Sequence, residues 1–230
     1  MNSTYNTYPV SGARVEARAA FITRTYLHLL GAILGFTMVE VYLFSSGLAA
    51  TITRGMLGTS WLLVIGGFMI VGWLASRTAY KAESLGAQYA ALAAFVVAEA
   101  IMFTPLLFIA NYNFPGVIQS AALTTLIGFS GLTAVVYYTR KDFSFLGSVL
   151  RWGGIVALVL IVAGVIFGFQ LGTFFTVAMI AFAGAAILYD TSNVLHHFPE
   201  DRHVAAALEL FASVALLFWY VLRLFMSSRD

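Results

Sequence analysis

Seven stretches of about twenty mostly apolar residues follow one another along the chain, and they constrain its fold more than any motif does. They run from about Thr25 to Phe44, Trp61 to Ser76, Gln88 to Ala110, Gly116 to Tyr138, Val149 to Gln170, Gly172 to Leu195 and Val204 to Met226. A helix needs about 20 such residues to cross a hydrocarbon layer, and only a helix or a closed barrel satisfies its own backbone there. The chain is 61% apolar and 10% charged, against roughly 25% charged residues in a soluble domain, so too little charge remains to cover a water-facing surface. The connectors are too short to hold a soluble domain. The expectation is an all-α polytopic membrane protein: a short cytoplasmic N-terminal segment over residues 1–24, one seven-helix transmembrane domain over residues 25–226 and a short tail over residues 227–230. Residues 1–20 carry Arg14, Glu16 and Arg18 and no apolar core, which speaks against a cleaved signal peptide.

Lysine and arginine orient the spans. Arg14, Arg18, Arg24, Arg77, Lys81, Arg140, Lys141, Arg151 and Arg202 fall on one side; Arg54, Arg223 and Arg229 fall on the other. By the positive-inside rule the first side is cytoplasmic, which puts the N-terminus inside and the C-terminus outside. The net charge of +2, with no basic cluster, excludes nucleic acid as a partner. Cysteine is absent, which excludes disulfides, thiolate metal sites and cysteine nucleophiles.

Helices in lipid gain little from leucine against leucine, so close contacts use small residues. The sixth span carries Ala178, Ala181, Ala183, Gly184, Ala185 and Ala186, and the fifth carries Gly153, Gly154, Gly164 and Gly168. Both are expected deep in the bundle. Pro105 removes a backbone hydrogen bond from the third span and is expected to kink it.

Four acids fall inside spans: Glu40, Glu99, Asp190 and Glu209. A charge at the bilayer centre costs about 2.5 to 3.5 kcal/mol on insertion scales, so each must face the bundle, find a partner or water, or keep its proton. Glu40 lies near the outer end of its span, where reaching headgroup water is the simplest reading. Glu99 is nearer mid-span. Glu209 is less than two turns into the last helix, within reach of the cytoplasmic interface. Asp190 is too short to reach water and carries the strongest functional expectation. His28, within a turn of the interface, reads as structural. With no lysine in any span, four acids favour a cation or proton path.

Three other patterns lead nowhere. Gly128-Phe129-Ser130-Gly131 spells an intramembrane serine-protease motif, but no later span supplies the histidine that would take the serine proton. A retinal pigment needs a lysine in its last span, whereas Lys81 and Lys141 both lie in loops. His196, His197 and His203, with Glu200 and Asp201, match no metal-ligand spacing and read as a solvated turn, with sensing of cytoplasmic pH as a weaker role. No catalytic set remains, so the expectation is a protein without enzymatic activity or resident cofactor.

Three segments resemble one family. Thr139-Arg140-Lys141-Asp142-Phe143-Ser144-Phe145-Leu146-Gly147, Ala183-Gly184-Ala185-Ala186-Ile187-Leu188-Tyr189-Asp190-Thr191 and Tyr220-Val221-Leu222-Arg223-Leu224-Phe225 are similar, in this order, to motifs of the Bax inhibitor-1-like, or transmembrane Bax inhibitor motif, family. The resemblance is firm from about Gln119 to Phe225. It implies six helices around a central seventh and a pH-sensitive calcium leak, in bacterial relatives governed by one aspartate on each of the last two spans. Close carboxylates of this kind share a proton because two like charges do not both ionise cheaply. Asp190 occupies the first of these positions. Aligning the Leu-Arg-Leu-Phe ending backward places Ser213 at the second, where it can hydrogen-bond but adds no charge. Glu209, four residues earlier, shares its helix face, so the expected pair is Asp190 with Glu209, bridged by Ser213.

Two functions follow from the resemblance. One is a cation leak, most readily for calcium, through an ion- and pH-sensing site of Asp190, Glu209 and Ser213, with Glu99 and Glu40 as secondary acids. The other is a non-conducting regulator that binds other membrane proteins, such as a quality-control protease. Short loops and the lack of a targeting segment favour a bacterial inner membrane.

Overall fold

A computed structural model describes residues 15–229; residues 1–14 and Asp230, parts of the expected N-terminal segment and tail, lie outside the described residues. The chain there forms eight helices: α1 (Val15–Ser45), α2 (Leu48–Leu57), α3 (Trp61–Lys81), α4 (Leu85–Asn113), α5 (Val117–Thr139), α6 (Leu146–Phe167), α7 (Gly172–His196) and α8 (His203–Ser227). All except α2 are long and apolar enough to cross a membrane, giving seven spans in a multi-pass membrane protein. The first helix begins ten residues before Thr25, so Val15–Arg24 continues it rather than forming a separate segment.

The ends of the helices follow from local chemistry. The Ser84 hydroxyl accepts the Ala87 N–H at 3.2 Å, capping α4. Gly168 adopts φ 73°, and this left-handed residue ends α6 at Phe167, so Gly168–Gln170 do not extend the fifth span as expected. Pro105 sits buried within a helix that runs unbroken from Leu85 to Asn113. The short α2 escaped the sequence reading because ten residues containing Arg54 are too few for a span; it lays Ala49 and Thr53 against the bundle, chiefly on α4.

The last helix is the centre. It packs against α1, α3, α4, α5 and α7, and almost every side chain from His203 to Leu217 is buried. The sixth span, α7, lies deep as its alanines suggest and packs more extensively on α8 than any other pair of helices does on each other. The fifth span, α6, does not lie deep. Only Ala157 of α6 is buried, and Gly147, Gly153 and Gly154 serve instead as seats for aromatic rings of α7. A Cβ on Gly153 would stand 3.0 Å from Phe182 and one on Gly147 2.9 Å from Tyr189. Small residues here permit ring-to-backbone contact at the periphery rather than burial of the helix.

The α3–α4, α5–α6 and α7–α8 turns share one end of the bundle, the end that carries most of the lysine and arginine. The Arg202 guanidinium donates to the Ala82 carbonyl at 2.6 Å, and Gln88 donates to the same oxygen at 3.0 Å. At the opposite end Arg229 donates to the Pro115 carbonyl at 2.9 Å.

Candidate functional site

Asp190 lies about two turns from the basic end of α7. It continues a buried stripe through Ala183, Ile187 and Val194, spaced so that one face of α7 meets α8. On α8, Ser213 and Tyr220 meet side chains of α7, Tyr220 with its ring centroid 6.1 Å from that of Phe175. Ala183 is small and fully buried on that face of α7, and the close approach of the two helices brings Ser213 to Asp190. The Ser213 hydroxyl donates to Asp190 Oδ2 at 2.5 Å, with the two residues 7% and 8% exposed. The other Asp190 oxygen has no hydrogen-bond partner among the described residues.

Glu209 stands one turn nearer the basic end on the same face of α8 and is half-buried. No hydrogen bond joins the two carboxyls directly. The structure therefore brings Asp190 and Ser213 into contact and places Glu209 one turn further along the same helix face, with no hydrogen bond to either. Beside them, the hydroxyls of Tyr26, Thr133, Tyr137 and Thr191 converge, although those of Tyr26, Thr133 and Thr191 reach no hydrogen-bond partner. Sequence reasoning missed this cluster. The tyrosines lie within apolar spans, and only packing shows that α1, α5 and α7 turn them toward one another.

The secondary acids are placed elsewhere. Glu99 is 7% exposed in α4 and makes no hydrogen bond among the described residues. Glu40 corrects the expectation that it reaches headgroup water. It is 7% exposed, and both its oxygens are shielded and without a hydrogen-bond partner. Its face of α1 turns toward α4 and α8 instead of outward. The nearby Thr104 hydroxyl is no donor to it, because that hydroxyl donates to the Ala100 carbonyl at 2.8 Å.

The motif between α5 and α6 has a clear structural task. Phe143 N–H donates to Ser192 Oγ at 2.9 Å, and Ser144 N–H donates to Asp142 Oδ1, also at 2.9 Å. His197 Nε2 lies 3.0 Å from Asp142 Oδ2. The Ser144 N–H, helped by the Ser144 hydroxyl and His197, holds the exposed Asp142 carboxyl below its ordinary value. With Tyr189 seated over Gly147, the two motifs quoted from the sequence thus clasp one another, two residues beyond Asp190.

The remaining candidates separate. His28 stacks on Tyr89, with ring centroids 5.3 Å apart, and lies 4.9 Å from the ring of His203. His203 is thereby buried on α8 away from His196 and His197, and among the described residues no three histidines or acids are close enough to share a metal ion. Ser130 of the protease-like motif is exposed on α5, and Gly128 packs near Leu217.

Comparison with known proteins agrees with this architecture. A family model described as "Inhibitor of apoptosis-promoting Bax1" matches residues 18–230. An uncharacterised protein of Pseudomonas aeruginosa is 35% identical over 116 residues, covering 49% of this chain and 51% of that protein. The modulator of FtsH protease YccA of Escherichia coli is 34% identical over 116 residues, covering 50% and 52% respectively. The chain thus spans about half the length of these two relatives. A Golgi anti-apoptotic protein of vaccinia virus is 25% identical over 221 residues, covering 94% of this chain and 88% of the viral protein. With the family model matched from the first helix through the last, this chain belongs to the Bax inhibitor-1-like family of multi-pass membrane proteins.

Proposed function

We propose that this protein is a cation leak whose gate is the Asp190–Ser213–Glu209 site, with calcium as the transported ion. The observation that carries this reading is the hydroxyl of Ser213 held on Asp190 between α7 and α8, with Glu209 one turn along the same face. Calcium takes roughly six to eight oxygen ligands, and two carboxylates with one hydroxyl supply only part of that shell. Water completes the rest, which suits an ion in transit better than one retained. Protons compete for the same oxygens, so occupation and pH are linked through the two acids. The unpartnered hydroxyls of Tyr26, Thr133 and Thr191 offer further polar positions within the bundle.

Calcium flux into proteoliposomes at pH 6 and pH 8 tests the reading. The wild-type protein is expected to carry calcium at a rate that depends on pH. Asp190→Asn is expected to lower the flux by about tenfold, the loss that ~1.4 kcal/mol at the site produces, and to flatten its pH response. Flux that is absent, or indifferent to that substitution, overturns the reading.

A second reading is favoured by the E. coli relative, whose name makes it a modulator of the FtsH protease. In this reading the chain is a non-conducting inner-membrane regulator, and Asp190 with Ser213 only fixes α7 on α8. Reconstitution with an FtsH-type protease separates the two: a change in proteolysis that survives Asp190→Asn supports regulation.

A further inference from the structure

Away from the Asp190 site, the outer half of the bundle encloses a cavity of about 420 Å³ bounded by α1, α4, α5 and α8. Its size lies within the range of small-molecule sites, and its wall is almost wholly apolar. Five phenylalanines line it: Phe36, Phe44, Phe103, Phe211 and Phe218. Glu40 is the one charge-bearing side chain among its lining residues, and both its carboxyl oxygens are buried and without partners. Thr125 adds a hydroxyl that is also unpartnered. An ionised carboxyl left unsatisfied in an apolar wall is costly, and it is relieved either by keeping its proton or by meeting a cation.

We propose that this cavity is a binding site for a lipophilic ammonium ion, a protonated or quaternary amine on an apolar body, held by Glu40 and the surrounding phenylalanine rings. The complementarity is specific. A cation satisfies the carboxylate, ring faces attract the same charge, and the rest of the ligand replaces lipid against an apolar wall. A fatty acid or other anion meets Glu40 with the wrong sign, and a hydrated inorganic ion meets too few oxygens. Access is lateral. α1 and α5 touch through Tyr26 and Tyr137 near the basic end, with ring centroids 6.2 Å apart, but share no extended interface. Between their outer halves the mouth is flanked by Val41 and Leu126, both exposed on the surface that lipid covers. The ligand thus arrives from the bilayer, with its charge near the outer interface and its body in the hydrocarbon. This assignment does not rest on the calcium reading, because none of its residues belongs to the Asp190 site.

Equilibrium binding to the full chain in nanodiscs provides the test, with trimethyl(phenethyl)ammonium and its uncharged carbon isostere as probes and protein-free nanodiscs as the partition control. The wild-type protein is expected to take up the cation above the control and to favour it over the isostere by about tenfold or more. Glu40→Gln keeps the side-chain shape and is expected to abolish that preference. Ala122 of α5 also lines the cavity, and Ala122→Phe, which fills the space while keeping the carboxyl, is expected to abolish uptake of both probes, with thermal unfolding confirming that each variant is folded. Equal binding of the two probes, uptake no greater than in protein-free nanodiscs, or an undiminished preference in folded Glu40→Gln or Ala122→Phe overturns the assignment.

Discussion

Ser213 gives Asp190 a donor without giving it a rival charge, and this difference has measurable consequences. Replacing Ser213 with alanine leaves the buried Asp190 carboxyl without its one hydrogen bond, a loss of about 1 to 3 kcal/mol that thermal unfolding in detergent is expected to register. Asp142 behaves differently because it is exposed. Its carboxyl is held below the ordinary 3.8, so its contribution to stability is present above that value and fades as pH falls through the lower folded value. Asp142→Ala is therefore expected to cost on the order of 1 kcal/mol or less at pH 7 and nothing measurable once the pH lies well below the folded value. Unfolding curves at several pH values between those limits check the sign. Which acids sit within spans was legible in the sequence, since Glu40, Glu99, Asp190 and Glu209 interrupt apolar runs. Which way each one faces was not. Glu40 is near a helix end by count, yet rotation of α1 about its axis turns it inward, and rotation is fixed by packing partners rather than by position in the chain.

Among the elements, α6 shows what small residues do and do not reveal. Its glycines correctly marked a close contact, but contact with two aromatic rings is compatible with a helix that exposes most of its length to lipid. Gly153→Leu is expected to drive α6 from Phe182 and lower stability by about 1 to 3 kcal/mol. Gly153→Ala asks only a few tenths of an ångström of the Phe182 ring, so its effect is expected to be well under half as large. Parallel melting of the two variants compares them. Seven of the eight helices were legible because a membrane span has a length requirement. An interfacial helix such as α2 has none, and its ten residues look like a loop until α4 is placed beside them.

For the whole molecule, the end that carries the lysines and arginines is also the end where the turns are tied together, through Arg202 to Ala82 and through Asp142 to Ser192 and His197. The orientation proposed from charge puts this tied end in the cytoplasm. Alkaline phosphatase fused after Asp230 is then expected to be active in a bacterial host, and a fluorescent protein at the same place to be dark; the reverse pattern inverts the topology. The arrangement of α8 at the centre also has a consequence in time. A ribosome delivers helices in chain order, so α1, α3, α4, α5 and α7 are synthesised before the core they surround exists. Until α8 arrives, the inward faces of its neighbours, Asp190 among them, have only lipid, water or an assisting protein to meet. Assembly of this protein is therefore a late-closing process, and its vulnerable interval is the one just before the last span leaves the ribosome.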